Sequence, residues 1–452
     1  MRAFTIVWLG QVVSLIGTAM TQFAITIWAW EQTGDALALA GVAAFSFGPA
    51  VLFSPIAGAL VDRSNRKLVM MISDIAAGIT TIALFLLYSS GQLQIWHLFV
   101  AGAIEGTFQA FQWPAYSAAI SMMIPKEQYA RANGMMSLAE SGSGILAPVL
   151  AGALYVAIRL DGIMLLDIVT FLVAIGALLI VHIPQPPVTA EGRAGQGSFW
   201  REVIYGFQYI LERRSLLGLQ LMFFCANLTG SFFFTLLAPM ILSRTANSTT
   251  TLGLILGIAS AGGVAGSLLL TAWGGPKRRV HGVLIGMILT GLLGEMLMGI
   301  GQTLVIWSVA AFFSSFFIPI LNGSNQAIWQ AKVAPDVQGR VFATRRFIAQ
   351  VSGPPAALLA GFLADAVFEP AMQPGGSLAP VLGGLVGVGP GSGIALMLIL
   401  SGLAGALAAL AGYAFPVIRN AEDLLPDHQG PAADTPAPVT TADVPKAAAG
   451  TT

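Results

Sequence analysis

Charge is what this sequence has least of. Only 9% of its 452 residues are Asp, Glu, Lys or Arg, against about a quarter in an ordinary soluble domain. A soluble fold of this length covers its surface with charge, so the composition excludes an ordinary soluble enzyme and points to an integral membrane protein. Neither sign is in excess, 21 basic against 21 acidic residues, so the overall balance gives no reason to expect a nucleic-acid partner. A single cysteine, Cys225, excludes an internal disulfide and a cysteine metal cluster. The four histidines, His97, His182, His281 and His428, show no zinc-ligand spacing. There is no Gly-x4-Gly-Lys-Ser/Thr loop to hold ATP, and no His-Glu-x2-His or Ser/His/Asp set for an intramembrane hydrolase. No catalytic residue, metal or cofactor is therefore expected.

Apolar length is what the chain has in abundance. Hydrophobic residues make up 56%, and 52 glycines accompany them, small residues that let membrane helices approach closely. A crossing helix needs about 20 apolar residues. Twelve runs qualify, numbered here as spans 1 to 12: 4–30, 39–60, 68–88, 95–122, 133–158, 163–183, 216–242, 252–273, 281–300, 304–329, 341–367 and 392–416. Their length and the lack of sustained period-2 alternation argue against strands. The first run is too long for a cleavable signal peptide, and no clear small-residue cleavage site follows it.

The only long internal polar stretch, 184–215, divides the chain six plus six. Pro184, Pro186 and Pro187 stop span 6, and Glu191 to Ser198 reads as flexible. Phe199, Val203, Phe207 and Ile210 then recur at helical spacing, which predicts an amphipathic helix lying on the membrane surface. The expected organisation is a six-helix bundle over 1–183, a cytoplasmic linker over 184–215, a second six-helix bundle over 216–419 and a disordered cytoplasmic tail over 420–452, rich in Pro, Ala, Thr and Asp. With the N-terminus in the cytoplasm, 19 of the 21 Lys and Arg residues fall on the cytoplasmic side, all but Arg159 and Arg244. The positive-inside rule thus predicts both termini inside.

The halves resemble each other at an offset of about 210. Pro125-Lys-Glu-Gln128-Tyr-Ala-Arg131 answers to Pro335-Asp-Val-Gln338-Gly-Arg340, each Arg is followed 21 residues later by a glycine (Gly152, Gly361), and Arg66-Lys67 answers to Arg278-Arg279. Parallel six-helix repeats are a transporter architecture, with the substrate near the midplane between them.

The loop Gly58-Ala-Leu-Val-Asp62-Arg63-Ser-Asn-Arg66-Lys67 resembles the one between helices two and three of the major facilitator superfamily. Gly10-Gln11-Val-Val-Ser14-Leu, Phe199-Trp-Arg201-Glu202-Val-Ile-Tyr-Gly206 and Gln338-Gly339-Arg340-Val341-Phe342 resemble its macrolide-efflux and enterobactin-exporter-like branch, so that the resemblance covers about 4–416. It implies a twelve-helix all-α membrane fold and secondary active export of a small amphipathic molecule by alternating access, coupled to protons, from a monomer in the cell membrane. It also implies a conformational switch at Gly58, Asp62, Arg63, Arg66, Lys67, Arg131, Gly339 and Arg340, with Asp62 against the start of span 11 when the cytoplasmic side is closed. The exporters' helix-five motif is degenerate here, with Gly134, Ser143, Ala147, Pro148, Ala151 and Gly152 at its positions. Its small face is expected against span 8, the family's partner for it. Where the superfamily often has an Arg in helix four, this chain has Glu105.

Glu105 sits near mid-depth of span 4, where a charge costs about 2.5–3.5 kcal/mol on insertion scales. Glu105, Gln109, Gln112 and Tyr116 share one helical face, placed on a wet cavity; the plain alternative is a hydrogen-bond cluster that only packs the half. Asn322, Asn325, Gln326 and Trp329 give span 10 a matching face, Gln11, Ser14, Thr18 and Gln22 give one to span 1, and Asn227 and Ser231 to span 7. In this superfamily spans 1, 4, 7 and 10 line the central cavity, and amides with few charges suit a bulky amphipathic substrate. Glu105 is the candidate proton carrier. Glu140, Asp167 and Glu295 also fall inside spans but read as structural, and Asp74 is expected to pair locally with basic residues. The other readings are an importer or facilitator of the same fold, and a membrane scaffold or lipid scramblase without coupled transport.

Overall fold

The computed structural model describes residues 1–33, 36–186, 189 and 197–427, and among them all regular structure is helical. Most of the glycine-rich stretch and the tail from 428 lie outside the described residues. Ten helices are long and apolar enough to cross a membrane, and a bent pair makes eleven. The twelfth, Ile95–Met123, has the length but falls outside that set; it carries the Glu105 face of span 4.

Span 1 is Arg2–Thr33. Span 2 is the bent pair, Ala36–Leu52 and Ser54–Arg63, turned by 54° between its arms. Pro55 opens the second arm, where its missing N–H costs least. Spans 5 and 6 run as one helical stretch, Tyr129–Ile180, broken only at Arg159, whose φ of 55° turns the chain. A single left-handed residue thus replaces the loop expected around Asp161 and Gly162. Span 9, Arg279–Ile300, contains a π-helical turn, Thr290–Met296, that presents Glu295 inward. Such turns are rare and concentrate at functional sites. Span 11, Pro335–Met372, starts earlier than its apolar run because its first turns are buried in protein rather than lipid.

Each half has its own core. Met20, Ala24 and Trp28 of span 1 pack with Ala147, Ala151, Ile163 and Met164 of spans 5 and 6. Phe233, Leu237 and Met240 of span 7 pack with Trp307, Ala395 and Leu398 of spans 10 and 12. Gly17 lets spans 1 and 6 approach closely: a Cβ there would overlap Thr170 Oγ1.

The turns 63–66, 124–128, 274–278 and 333–337 share one end, called here the basic end. The helix Phe199–Glu212 crosses this end, and it is not the purely surface-lying element expected. Glu202, Val203, Gly206, Tyr209 and Ile210 are buried against protein, while Trp200, Ile204 and Leu211 are exposed on its other side. The start of the tail is also ordered, contrary to expectation. Ala421–Leu424 is helical, Glu422 accepts the Val280 N–H at 2.9 Å, and Asp427 pairs with Lys332 at 2.8 Å.

Candidate functional site: a cavity sealed at the basic end

The seal is built from both halves. Asp62 is buried where span 2 meets the first turn of span 11. Its carboxylate accepts the N–H of Gly339 at 2.7 Å and that of Arg340 at 3.0 Å, and Arg340 Nε at 3.1 Å. A helix N-terminus offers free N–H groups and partial positive charge, so a carboxylate fits it. Gly58 makes the approach possible: a Cβ there would stand 2.5 Å from the Ala343 Cβ. One turn earlier, Ser54 Oγ donates to Ala343 O at 3.0 Å.

Two arginines bridge the halves reciprocally. Arg66 is buried and donates to Ala118 O in its own half and to Pro335 O in the other. Arg279 donates to Ala327 O in its own half and to Lys126 O in the other. The internal repeat is thus visible as chemistry, with Arg279 in the role of Arg66, one residue after Arg278, the match that the motif pairing gives. Ser121 with Gln338 and Asn133 with Gln330 complete the seam, at 2.8 and 2.9 Å.

The remaining switch residues have other partners. Arg63 reaches the linker helix and donates to Glu202 at 2.7 Å. Lys67 caps the end of span 6 through Val181 O at 2.9 Å. Arg131 donates to Ala272 O of span 8 rather than to Asp62; the side chain bonded to Asp62 is that of Arg340. Burial works to raise the Glu202 carboxyl. The hydrogen bonds from Arg63 and the Gly197 N–H, with the charges of Arg340 and Arg63, outweigh it and hold that carboxyl below the usual range.

Above the seal lies a cavity of about 460 Å³. Gln11, Ser14, Thr18, Gln22, Glu105, Gln109, Gln112 and Tyr116 all line it. A polar lobe of about 320 Å³ continues it into the other half, past Asn227, Asn322, Asn325 and Gln326. Ser231 faces a further lobe of about 210 Å³ that shares Asn227 and Asn322. Trp329 departs from expectation. It is fully buried beneath the cavity, donating to Asn325 Oδ1 at 3.2 Å under the Arg345 guanidinium. It is part of the seal because span 10 points that turn into the closed seam.

The helix-five residues also divide. Gly134 meets span 8, where a Cβ would lie 2.9 Å from Thr271 N. Ser143 is buried, its Oγ turned back to Glu140 O. Ala147 and Ala151 face the core around Met20 and Trp28 rather than span 8. Pro148 lies between them in the helix, and Gly152 faces open space. The same openness holds for Gly142 and Gly144 of span 5, Gly253 and Gly257 of span 8, and Gly353 and Gly361 of span 11. The halves are thus closed against each other at the basic end.

Three features had not been expected. Asp74 does not pair with basic residues; it accepts from Gln11 at 2.8 Å and Gln112 at 2.6 Å, on the cavity wall. The spacing of Asp74, Gly78 and Thr81 carried this signal, a polar stripe at helical period. Asp167 joins the wall and accepts from Thr18 and Thr81 at 3.0 and 3.1 Å. Arg345 and Arg346, counted among the loop cations, lie inside the bundle: Arg345 stacks on Trp329, and Arg346 lies over Trp113 and lines the cavity.

Known proteins share this architecture. A profile of the Major Facilitator Superfamily matches residues 7–357. Macrolide efflux protein A of Streptococcus pyogenes is 28% identical over 383 residues, 80% of this chain and 90% of that protein. Macrolide efflux protein A of Enterococcus faecalis is 27% identical over 340 residues, 71% and 99% of the two chains. In fold, a bacterial homologue of the iron transporter ferroportin, solved in an outward-facing state, superposes with a TM-score of 0.64 at 16% identity, over 91% of this chain and 98% of that one. With helices, repeat, seal and cavity all in place, the chain belongs to the Major Facilitator Superfamily, a family of multi-pass membrane transporters of small molecules.

Proposed function

We propose that this transporter exports an amphipathic organic molecule of macrolide-like character by alternating access, driven by proton entry. The observation that carries the reading is a polar cavity between the halves, sealed at one end by contacts that join them, Asp62 on Gly339 and Arg340 above all. Such contacts exist in one state only, so they set the population of that state. The similarity to macrolide efflux proteins supports this direction and this substrate class. In this reading the basic end and both termini lie in the cytoplasm of a bacterial cell, the working unit is a monomer, and the cavity opens to the outside. The cavity residues of spans 1, 4, 7 and 10 contact substrate, and Glu105 carries the proton. Switch residues Gly58, Asp62, Arg66, Gly339 and Arg340 act directly at the seal, and Arg63 acts through the linker helix. Inverted membrane vesicles test it: with an acid interior they should accumulate radiolabelled erythromycin, and collapse of the gradient should release it. Accumulation only in right-side-out vesicles, or none beyond vesicles lacking the protein, refutes export.

A further inference from the structure

The floor of the cavity has a chemical character that its walls do not. Four nitrogen atoms there are buried without a hydrogen-bond partner: Asn325 Nδ2, Gln326 Nε2, Arg345 Nε and Arg346 Nη1. All four are donors. The amide orientations are fixed by neighbours, since Asn325 Oδ1 accepts from Trp329 and Gln326 Oε1 accepts from Arg345 at 2.9 Å, so the free ends are the NH2 groups. All four side chains line the same polar lobe. Two guanidiniums meet there with one carboxylate, Glu140, which faces Arg346. Among the described residues no carboxylate acts on Arg345. The opposite wall is acidic, with Asp74, Glu105 and Asp167.

A buried donor without an acceptor is costly, and a buried cation without a counter-ion more so. Natural interiors keep such groups where a ligand completes them. Planar guanidiniums match the two oxygens of an oxyanion. We propose that the lobe floored by Asn325, Gln326, Arg345 and Arg346 is an anion subsite, which takes a carboxylate, sulfonate or phosphate group of the transported molecule. One negative charge balances the surplus of two arginines over Glu140. The preferred substrate is then a macrolide-like amphiphile whose acidic group lies over spans 10 and 11 while the rest of the molecule lies against spans 1 and 4; erythromycin, which carries an amine and no acid, occupies the cavity without filling this subsite. This rests on the cavity's being the transport site.

The test uses two probes with the same ring system: 1-anilinonaphthalene-8-sulfonate and its uncharged counterpart N-phenyl-1-naphthylamine. Binding is read by fluorescence on the full chain in nanodiscs, with empty nanodiscs subtracted. Wild type should bind the sulfonate about tenfold tighter than the neutral probe, as a charge-assisted pair implies. Arg346→Gln should remove that preference, read as the ratio of the two affinities within the same variant. Gln326→Glu, which places a carboxylate in the lobe without touching Arg346, should likewise remove the preference and covers the case in which the arginine variant fails to fold. Equal affinities in wild type, or a preference unchanged in the folded variants, overturns the anion subsite and leaves the cavity reading standing. If neither probe binds wild type, both fall together.

Discussion

Asp62 and Arg340 meet across the seam between the halves, 3.1 Å from Oδ2 to Nε, with the carboxylate also holding two N–H groups of the partner helix. The two residues are far apart in sequence and belong to different bundles, so the contact exists only while the basic end is closed. Its pseudo-symmetric counterpart in the second half falls at Gly274, which has no side chain to offer. Among the described residues this contact therefore has no counterpart, whereas the Arg66 and Arg279 bridges are paired.

Asp62→Asn keeps the shape, removes the charge and leaves one oxygen to accept where two did. Losing one member of a buried, hydrogen-bonded pair costs about 3–5 kcal/mol. That is less than the roughly 5.5 kcal/mol needed to invert a 99:1 population completely. The variant should therefore fold, transport slowly and populate an open basic end. Spin-label distances between spans 2 and 11 at that end should broaden toward longer values. Unchanged distances and full transport would remove the latch role.

Glu202 ties the linker helix to Arg63, and the contact has a pH signature. Its carboxyl is held below the ordinary value of 4.5. A depressed carboxyl contributes stability above its unfolded-state value, and that stability is lost as pH falls through the lower folded-state value. Hydrogen-exchange protection of Phe199–Glu212 should stay flat from pH 8 down to about 5 and decline only below the ordinary glutamate value. Glu202→Gln should be less protected at neutral pH and lose the acid step. An identical step in that variant would assign it to another group.

Spans 5 and 8 give a cross-link test. A Cβ on Gly263 would lie 3.8 Å from the Ser141 Cβ, at the mean separation for a disulfide, about 3.8 Å. With Cys225→Ser as background, the pair Ser141→Cys and Gly263→Cys should oxidise readily and block transport until reduced. Ala147→Leu should behave differently, because Ala147 packs on span 1. Overpacking there costs about 1–3 kcal/mol, so thermal stability should fall while the cross-link still forms. Loss of the cross-link with unchanged stability would place Ala147 back on the span 8 contact.

The helices and their number were legible because hydrocarbon thickness sets a length that composition shows directly. The four polar residues of span 4 share a cavity wall because one helical period ties them together. Trp329 was misread because the same periodicity does not say where along the axis the cavity ends and the seal begins. Arg345 and Arg346 were misread because basic residues near a loop count equally toward orientation whether exposed or buried. Their depth follows from span 11 beginning at Pro335, before its apolar run. The Glu202 and Arg63 clamp was invisible for a further reason. The linker helix has one apolar face for protein and another outside it, and sequence periodicity alone could not assign them.

Glu105 gives the decisive test of coupling. It lies on the wall shared by the main cavity and a narrower lobe toward the far end, and that lobe is lined by no Lys, Arg or His among the described residues. Asp74 and Asp167, its acidic neighbours, each accept two hydrogen bonds from side chains of other spans. Span 10 offers no acidic equivalent. A proton carrier must exchange its proton with one side of the membrane and then the other. A carboxyl on a wet wall, with no fixed cation beside it, can do so as the seal moves. Glu105→Gln retains the volume and the hydrogen-bonding capacity and removes the titration. In proteoliposomes it should abolish accumulation driven by a pH gradient while counterflow of preloaded substrate continues at near the wild-type rate. Counterflow separates the roles, since a substrate-contact residue would impair both. If the variant still concentrates substrate against its gradient when a proton gradient is imposed, Glu105 is not the carrier, and Asp167, the nearest other acid on the same wall, becomes the residue to replace.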